Sequence, residues 1–358
     1  MTFRSVIIVV AALSLTVMAS ACRENKFGVV DLTIPEDPIE EYTRVTYNYT
    51  YQHPCCMWTQ KDYDRVKNSL DNNTAPQAVK DEFKTLSNSA YVSKTYVPSP
   101  TIQIVRGDEK GTGYTPAEAS ASCYSAQKDA SAAYQMALLW KLTGDNGYAD
   151  AVVKILNAWA STCERVTSND SNHKLLAAQG YTFIMAAEIL CTYEGWSSEN
   201  LRKFKEWTIK VWLPVCRDFL DRHQGQCDDH YWSNWDLVNM CCYLAMGILN
   251  ENDEMVNYVV NYFHDGNDMG VKGNGYIKKL IVAYHTNPLD AGDIIGQNQE
   301  SGRDQGHAQM SASVTALMAQ MAYALYTVNT DKPELDFFAA NNNALMAMGE
   351  YVAISNLR

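Results

Sequence analysis

Positive charge is scarce in this chain. Lys and Arg account for 29 of 358 residues against 41 Asp and Glu, a formal net charge of −12. No stretch gathers the basic residues of a nucleic-acid patch, so no nucleic acid is expected as a partner. Several catalytic signatures are missing as well: there is no G-x-S-x-G elbow, no Walker lysine loop, no H-E-x-x-H helix and no strand-associated G-x-G-x-x-G. Strand signals are few, Thr101-Ile102-Gln103-Ile104-Val105 being the clearest. The ten cysteines include two vicinal pairs, and nine remain once Cys22 is set apart, an odd number that excludes a regular disulfide framework. His223-x3-Cys227-x2-His230 has metal-ligand spacing but no second cluster to complete it, so neither a metal nor a cofactor is expected. What the chain does have is apolar content: 47% hydrophobic residues, 11% aromatic, only 20% charged. That is enough for a large core, and it excludes a disordered chain.

The N-terminus reads as an export signal. Arg4 precedes an apolar run from Val6 to Met18, too short for an ordinary membrane span, and Ala19-Ser20-Ala21-Cys22 follows. Small residues directly before a Cys resemble the lipobox of bacterial lipoproteins, which implies a signal peptide over 1–21, lipidation of Cys22 and a membrane anchor. Residues 22–45, with Pro35, Pro38 and several acids, then form a tether, and 46–358 a single domain that is periplasmic or at the cell surface.

From about residue 60 onward helical periodicity dominates. Tyr148, Val152, Ile155 and Trp159 repeat behind a cap at Asp145, and Leu176, Gly180, Phe183, Ala187 and Leu190 do the same. Leu201, Phe204, Val211, Val215 and Phe219 mark another helix that Pro214 is expected to kink near its end. Trp235, Val238, Cys242, Ala245 and Leu249 follow, with further helices over about 124–142, 253–263, 304–328 and 334–354. About ten helices joined by short links, without a fixed repeat, predict an all-α fold, an (α/α) toroid or incomplete α/α barrel.

Three segments break this regularity with polar and aromatic residues: 106–114, 226–236 (QCDDHYWSNWD) and 292–309 (GDIIGQNQESGRDQGHAQ). Loops and helix ends line the clefts of such folds, so a site is expected there. His230 and Asn234, four apart, share a face if the helix begins early, and Trp232 and Trp235 flank them; indole rings, an imidazole and an amide suit a sugar cleft. Glu300, Arg303, Asp304 and His307 fall on one helical face at i, i+3, i+4 and i+7, among Gln297, Gln299, Gln305 and Gln309. The alternatives are a structural ion network for Glu300 and Asp304, and core packing for the Trp residues. Tyr284 ends an apolar stretch, where its hydroxyl can face a cleft.

The helix pair QKDASAAYQMALLWKLTGDNGYADAVVKILNAWA (127–160), followed in order by HKLLAAQGYTFIMAAEIL (173–190), HYWSNWDLVNM (230–240) and ESGRDQGHAQM (300–310), resembles the alginate lyase superfamily over roughly residues 55–355. The resemblance implies cleavage of a uronic-acid polysaccharide, of the alginate or glucuronan type, by β-elimination. Three tasks follow: neutralise the uronate carboxylate so that the C5 proton becomes acidic, remove that proton, and protonate the C4 oxygen as it leaves. Carried onto this chain, Asn234 and Arg303 are the neutralisers, His230 or His307 the base, and Tyr284 the acid, with Tyr231 its rival. Gln179, Tyr231, Trp232, Trp235, Glu300 and Gln305 are expected to bind the sugar. One departure is that Asp229, rather than the Asn of the better-known branch, precedes His230. The competing readings are a glycoside hydrolase using two of Asp236, Glu300 and Asp304, and a glycan-binding lipoprotein without proton transfer.

Overall fold

The computed structural model describes residues 42–227, 230–266, 269, 273–290 and 294–357. The export segment with Cys22, and Asp228, Asp229 and Gly292, lie outside them. The elements in order are α1 (Gln60–Asp71), α2 (Gln77–Ser87), β1 (Gln103–Val105), α3 (Pro116–Thr143), α4 (Asn146–Thr162), β2 (Arg165–Thr167), α5 (Ala177–Leu190), α6 (Ser198–Trp207), α7 (Leu213–Arg222), α8 (Ser233–Leu249), α9 (Asp253–Asp265), α10 (Ile277–Leu280), β3 (Ile281–Thr286), β4 (Ile294–Asn298), α11 (Gln305–Tyr326) and α12 (Ala340–Leu357). Among the described residues no helix is long and apolar enough to cross a membrane.

The helix boundaries follow local chemistry. Thr115 and Glu118 form a capping box on α3 with Pro116 at its start, and Gly144 ends that helix at φ 73°. Asp145 then caps α4 through the amide of Gly147. Pro214 acts earlier than the sequence reading placed it. It begins α7, and the five residues Thr208–Trp212 before it form a π turn that absorbs the hydrogen bond proline cannot donate.

Helices α3, α5, α8 and α11 pack side by side as an inner layer, with α4, α6–α7, α9 and α12 outside them, so the fold is an (α/α) toroid. Burial explains the division: α8 is covered along nearly its whole length and α5 on almost all sides, as their all-round apolar sequences require. The inner helices run parallel. Gly180 near the start of α5 faces Cys242, where an added Cβ would meet the sulfur at 2.7 Å. Cys241 Sγ donates to the Val314 carbonyl of α11 at 3.6 Å, and Lys141 Nζ near the end of α3 reaches Thr192 Oγ1 just past α5 at 3.0 Å. All four inner helices therefore begin at one end of the toroid.

An extended N-terminal strap runs along α9 to the opposite end. Asn261 Oδ1 accepts from Tyr42 Oη and the Val45 amide, Asn257 Oδ1 from the Tyr47 amide, and Asp253 Oδ1 from the Tyr49 amide. Two extended residues advance about 6.6 Å and four helical residues about 6 Å, so alternate strap amides meet every fourth side chain of α9. Tyr42 to Val45, expected to belong to the tether, are thus already bound to the domain.

The strands are minor. β1 and β2 pair in parallel, Ile104 opposite Val166, and join the segments before α3 and after α4. β3 and β4 form an antiparallel hairpin, Tyr284 opposite Gly296, with a bulge between Ile281 and Ala283. α12 packs along β4 and opens with Asn341, Asn342 and Asn343 in left-handed conformations, which asparagine tolerates better than other side chains with a Cβ.

Candidate active site

The parallel inner layer gathers the three polar segments at one end. The loop after β1 meets the loop before α5: the Asp108 amide donates to Asp170 Oδ2 at 3.1 Å, and Gly107, at φ 97°, lies so close that a Cβ there would sit 2.3 Å from Asp170 Oδ1. The loop before α8 meets the turn between β4 and α11 through Ser233 N and Gln299 Oε1 at 3.2 Å. Helix N-termini carry partial positive charge, roughly half a unit each, so this end suits an anion even in an acidic protein.

Asn234 organises the floor. One side-chain amide donates to Glu300 Oε1 at 3.0 Å and to the His307 carbonyl at 3.2 Å, while Asn234 Oδ1 accepts from Ser311 Oγ at 2.7 Å. Asn234 is 3% exposed, with both of its N–H donors spent inside the protein. Direct contact with a substrate carboxylate, expected from the sequence, does not fit this geometry; the residue positions its neighbours. Glu300 is fully buried, and burial pushes its carboxyl above the ordinary range against the opposing charges of His307 and Arg303. Its Oε2 has no hydrogen-bond partner, the Arg303 guanidinium standing 3.6 Å away.

Arg303 is half exposed, and its second ion pair, Nε to Asp304 Oδ2, is loose at 3.9 Å. The expected single helical face is instead a turn and a cap, because α11 begins only at Gln305 and Asp304 is its N-cap. Asp304 Oδ1 accepts from the His307 amide at 2.9 Å, and Oδ2 lies 2.6 Å from His307 Nδ1. Although burial works to raise the Asp304 carboxyl, those bonds and the charges of His307 and Arg303 hold it below its ordinary value. A carboxylate on Nδ1 fixes the tautomer and leaves the Nε2 lone pair for proton transfer.

His230 and Asn234 do not share a helical face, since α8 starts at Ser233 and His230 precedes it. The exposed His230 ring sits edge-on to Tyr231 at 4.6 Å. Tyr231 is buried against Phe219, His223 and Trp235, with its carbonyl accepting from Asn274 Nδ2 at 2.7 Å. Trp235 is half-buried and stacks on Phe219, whereas Trp232 is exposed. Tyr284 stands half-buried on β3, its hydroxyl accepting from Asn341 Nδ2 at 3.4 Å. Gln179 lies in the first turn of α5 with a buried, unpartnered Oε1, and exposed Gln305 reaches the Ser355 carbonyl at 3.4 Å.

Asp236 faces away from any substrate. Fully buried, it binds His223 Nε2 at 2.8 Å, Tyr262 Oη at 2.7 Å and the Asn274 amide at 3.2 Å, so it is no acid or base for a hydrolase. The same bond turns buried His223 inward, away from the metal-ligand grouping with Cys227 and His230 that its spacing had raised. Asn298 and Ser311 were missed by the sequence reading. Buried Asn298 ties the turn to α11, donating to the Ala308 carbonyl at 3.0 Å and accepting from the Glu300 amide at 3.1 Å. Only its place two residues before Glu300 could have marked it.

A family model described as alginate lyase matches residues 58–352. The chain belongs to the alginate lyase family. It is a polysaccharide lyase. Among solved structures, alginate lyase A1-III from Sphingomonas species A1 is similar at 13% identity with TM-score 0.56, covering 86% of this chain and 82% of that one. A tyrosine-to-phenylalanine variant of alginate lyase A1-III complexed with tetrasaccharide matches at 13% identity and TM-score 0.56, over 83% of this chain and 76% of that one. An alginate lyase from Bacteroides ovatus matches at 12% identity and TM-score 0.53, over 84% and 83%. No curated protein matches significantly in sequence. For this alginate lyase family member, the structural likeness bears on the fold, and the site rests on its own geometry.

Proposed function

We propose that the chain cleaves a polyuronate of the alginate or glucuronan type by β-elimination at the N-terminal ends of α5, α8 and α11. The observation that carries this reading is Arg303, a half-exposed guanidinium held only by loose ion pairs beside a buried Glu300 and a His307–Asp304 pair. Arg303 takes the uronate carboxylate bidentately, withdrawing charge from C6 so that the C5 carbanion is stabilised. Asn234 holds Glu300 and the start of α11 in place for that contact.

The base must lie within a few ångströms of the neutralised carboxylate, because both act on substituents of C5. His307, four residues after Arg303 and oriented by Asp304, meets that demand, and His230 on the Tyr231 ring is the second imidazole we place in the cleft. Tyr284 gives its proton to the departing C4 oxygen, leaving an unsaturated uronate at the new non-reducing end. Trp232 offers an exposed ring for a sugar face, with Gln179 and Gln305 at the flanks. The similarity of the fold to an alginate lyase complexed with tetrasaccharide supports a polyuronate as substrate. We further propose export and anchoring through a lipidated Cys22, on the strength of the apolar run 6–18 and Ala19-Ser20-Ala21 before it.

The test is a panel of polyuronates (mannuronate-rich, guluronate-rich and glucuronan) read for ultraviolet absorbance of the unsaturated product, with wild type, His307→Ala and His230→Ala compared on the best substrate. A product signal on at least one polymer, lost in His307→Ala, is expected. Reducing ends without the absorbance mean hydrolysis, and binding without either means a glycan-binding protein. A larger loss in His230→Ala than in His307→Ala reverses the choice of base.

A further inference from the structure

The strap carries a second cluster of reactive side chains, remote from the cleft. His53 Nδ1 lies 2.9 Å from Glu188 Oε1 and 3.8 Å from Cys55 Sγ, and one ligating atom from each of the three residues lies within 4.8 Å of the others. Cys55 and Glu188 are each 1% exposed. Glu188 lies eleven residues after the start of α5, about 16 Å along the helix from the cleft. The Cys55 amide also donates to Glu188 Oε1, so both residues of the strap converge on one buried carboxylate, and the Cys55 thiol is turned to the same imidazole nitrogen.

We propose that His53, Cys55 and Glu188 are three ligands of a structural zinc site that fastens the strap to the end of α5. Imidazole, thiolate and carboxylate together form a donor set that suits zinc, and with bonds of 2.0–2.3 Å the edges of a tetrahedron measure about 3.3–3.8 Å, so the 3.8 Å Nδ1–Sγ spacing fits as it stands and the 2.9 Å Nδ1–Oε1 hydrogen bond opens by about 0.5 Å on binding. A second observation points the same way. The other ring nitrogen, His53 Nε2, is 3.2 Å from Glu251 Oε1, just past α8, which is the outer carboxylate that orients a metal-bound imidazole. Binding replaces two protons, that of the Cys55 thiol and that of His53 Nδ1, with metal–sulfur and metal–nitrogen bonds; both protons leave to solvent, Nε2 keeps its own toward Glu251, and no oxidant is involved. The site joins the ends of α5 and α8 to residues 53–55 and is independent of the elimination chemistry.

The experiment uses the full chain, reduced and stripped with a chelator, then titrated with Co²⁺ and with Zn²⁺. One equivalent of Co²⁺ is expected to give a cobalt–thiolate charge-transfer band and the visible bands of a four-coordinate ion, both abolished by Zn²⁺ and absent in Cys55→Ser. Zn²⁺ is expected to raise the Tm of the stripped protein without changing its rate of elimination. Should Cys55→Ser fail to fold, Glu251→Gln carries the test: its half-exposed side chain touches only the outer imidazole nitrogen, and zinc affinity is expected to fall 10–100-fold. The proposal is overturned if no one-equivalent saturation occurs, if the charge-transfer band survives in Cys55→Ser, or if Glu251→Gln binds zinc as tightly as wild type. A stripped enzyme that stays folded but loses its elimination activity, recovered by zinc, would contradict the structural role.

Discussion

Replacing Arg303 separates substrate binding from scaffold more cleanly than any other change in the cleft. Its guanidinium reaches Glu300 Oε2 at 3.6 Å and Asp304 Oδ2 at 3.9 Å, both beyond hydrogen-bond distance, and its side chain is 48% exposed. Asp304 is exposed and Glu300 buried, but the guanidinium itself stands half in solvent and makes no hydrogen bond to either, so the two pairs together are expected to contribute about 1 kcal/mol. For a chain of this size that corresponds to a Tm change of no more than about 3 °C. A bidentate, charge-assisted contact to a uronate carboxylate is worth more, about 3–4 kcal/mol from two bonds of roughly 1.5–3 kcal/mol each after partial compensation. At about 1.4 kcal/mol per factor of ten, Arg303→Ala is expected to lower kcat/KM by about 10²–10³ while the protein melts nearly as before. Arg303→Lys, which keeps the charge but loses the fork, is expected to recover about a factor of ten. The assay is initial-rate absorbance of the unsaturated product beside a thermal melt of each variant. A melting loss that accounts for the activity loss would make Arg303 a structural ion pair, and full activity in Arg303→Ala would remove it from the site.

Tyr284→Phe keeps the ring but deletes the transferable proton, so turnover is expected to fall about 10²–10⁴-fold with KM little changed, while Tyr231→Phe, altered inside an aromatic cluster, stays near wild type; the opposite ranking in steady-state kinetics exchanges their roles. Asn234→Ala strands Glu300 Oε1, the His307 carbonyl and Ser311 Oγ, and chemical denaturation is expected to show a loss of roughly 3–5 kcal/mol together with lost activity. Asp304 titrates below its ordinary value of 3.8, so its ionised form stabilises the fold; that stability is present above pH 3.8 and is lost as pH falls through the lower folded value. Asp304→Asn keeps a capping side chain but no charge, and its stability deficit against wild type is expected at neutral pH and to vanish in acid, as urea melts at several pH values would show. Glu300, raised by burial, has the opposite sign: its cost sets in above pH 4.5 and grows as pH rises through the higher folded value, so Glu300→Gln flattens the pH profile there.

The inner helices were legible in the sequence because burial on all sides leaves a long apolar record, as in α5 and α8, and because Asp145 and Gly144 mark their boundary with capping chemistry. The polar segments were legible as interruptions of that record, and the parallel inner layer brings them to one end. Register was harder. A spacing of i, i+3, i+4 and i+7 over Glu300 to His307 reads as a helical face whether or not the helix has begun, and only Asp304 folding back onto the His307 amide decides that it has not. Asn234 looked like a substrate ligand because an amide's partners are tertiary: Glu300 is 66 residues away and Ser311 is 77. The β3–β4 hairpin left little trace, since its strands are short and mixed and its stability comes from α12 packed along β4. The strap was hidden for the same reason, its alternating Tyr residues gaining meaning only against the four-residue repeat of α9.

Elimination and hydrolysis differ in the fate of water. Cleavage of the preferred polyuronate in ¹⁸O-enriched water, with products analysed by mass spectrometry as they form, is predicted to yield oligosaccharides carrying a C4–C5 double bond and no oxygen from solvent at the cleaved bond. Products bearing one ¹⁸O at the new reducing end, and no unsaturated uronate, would contradict elimination.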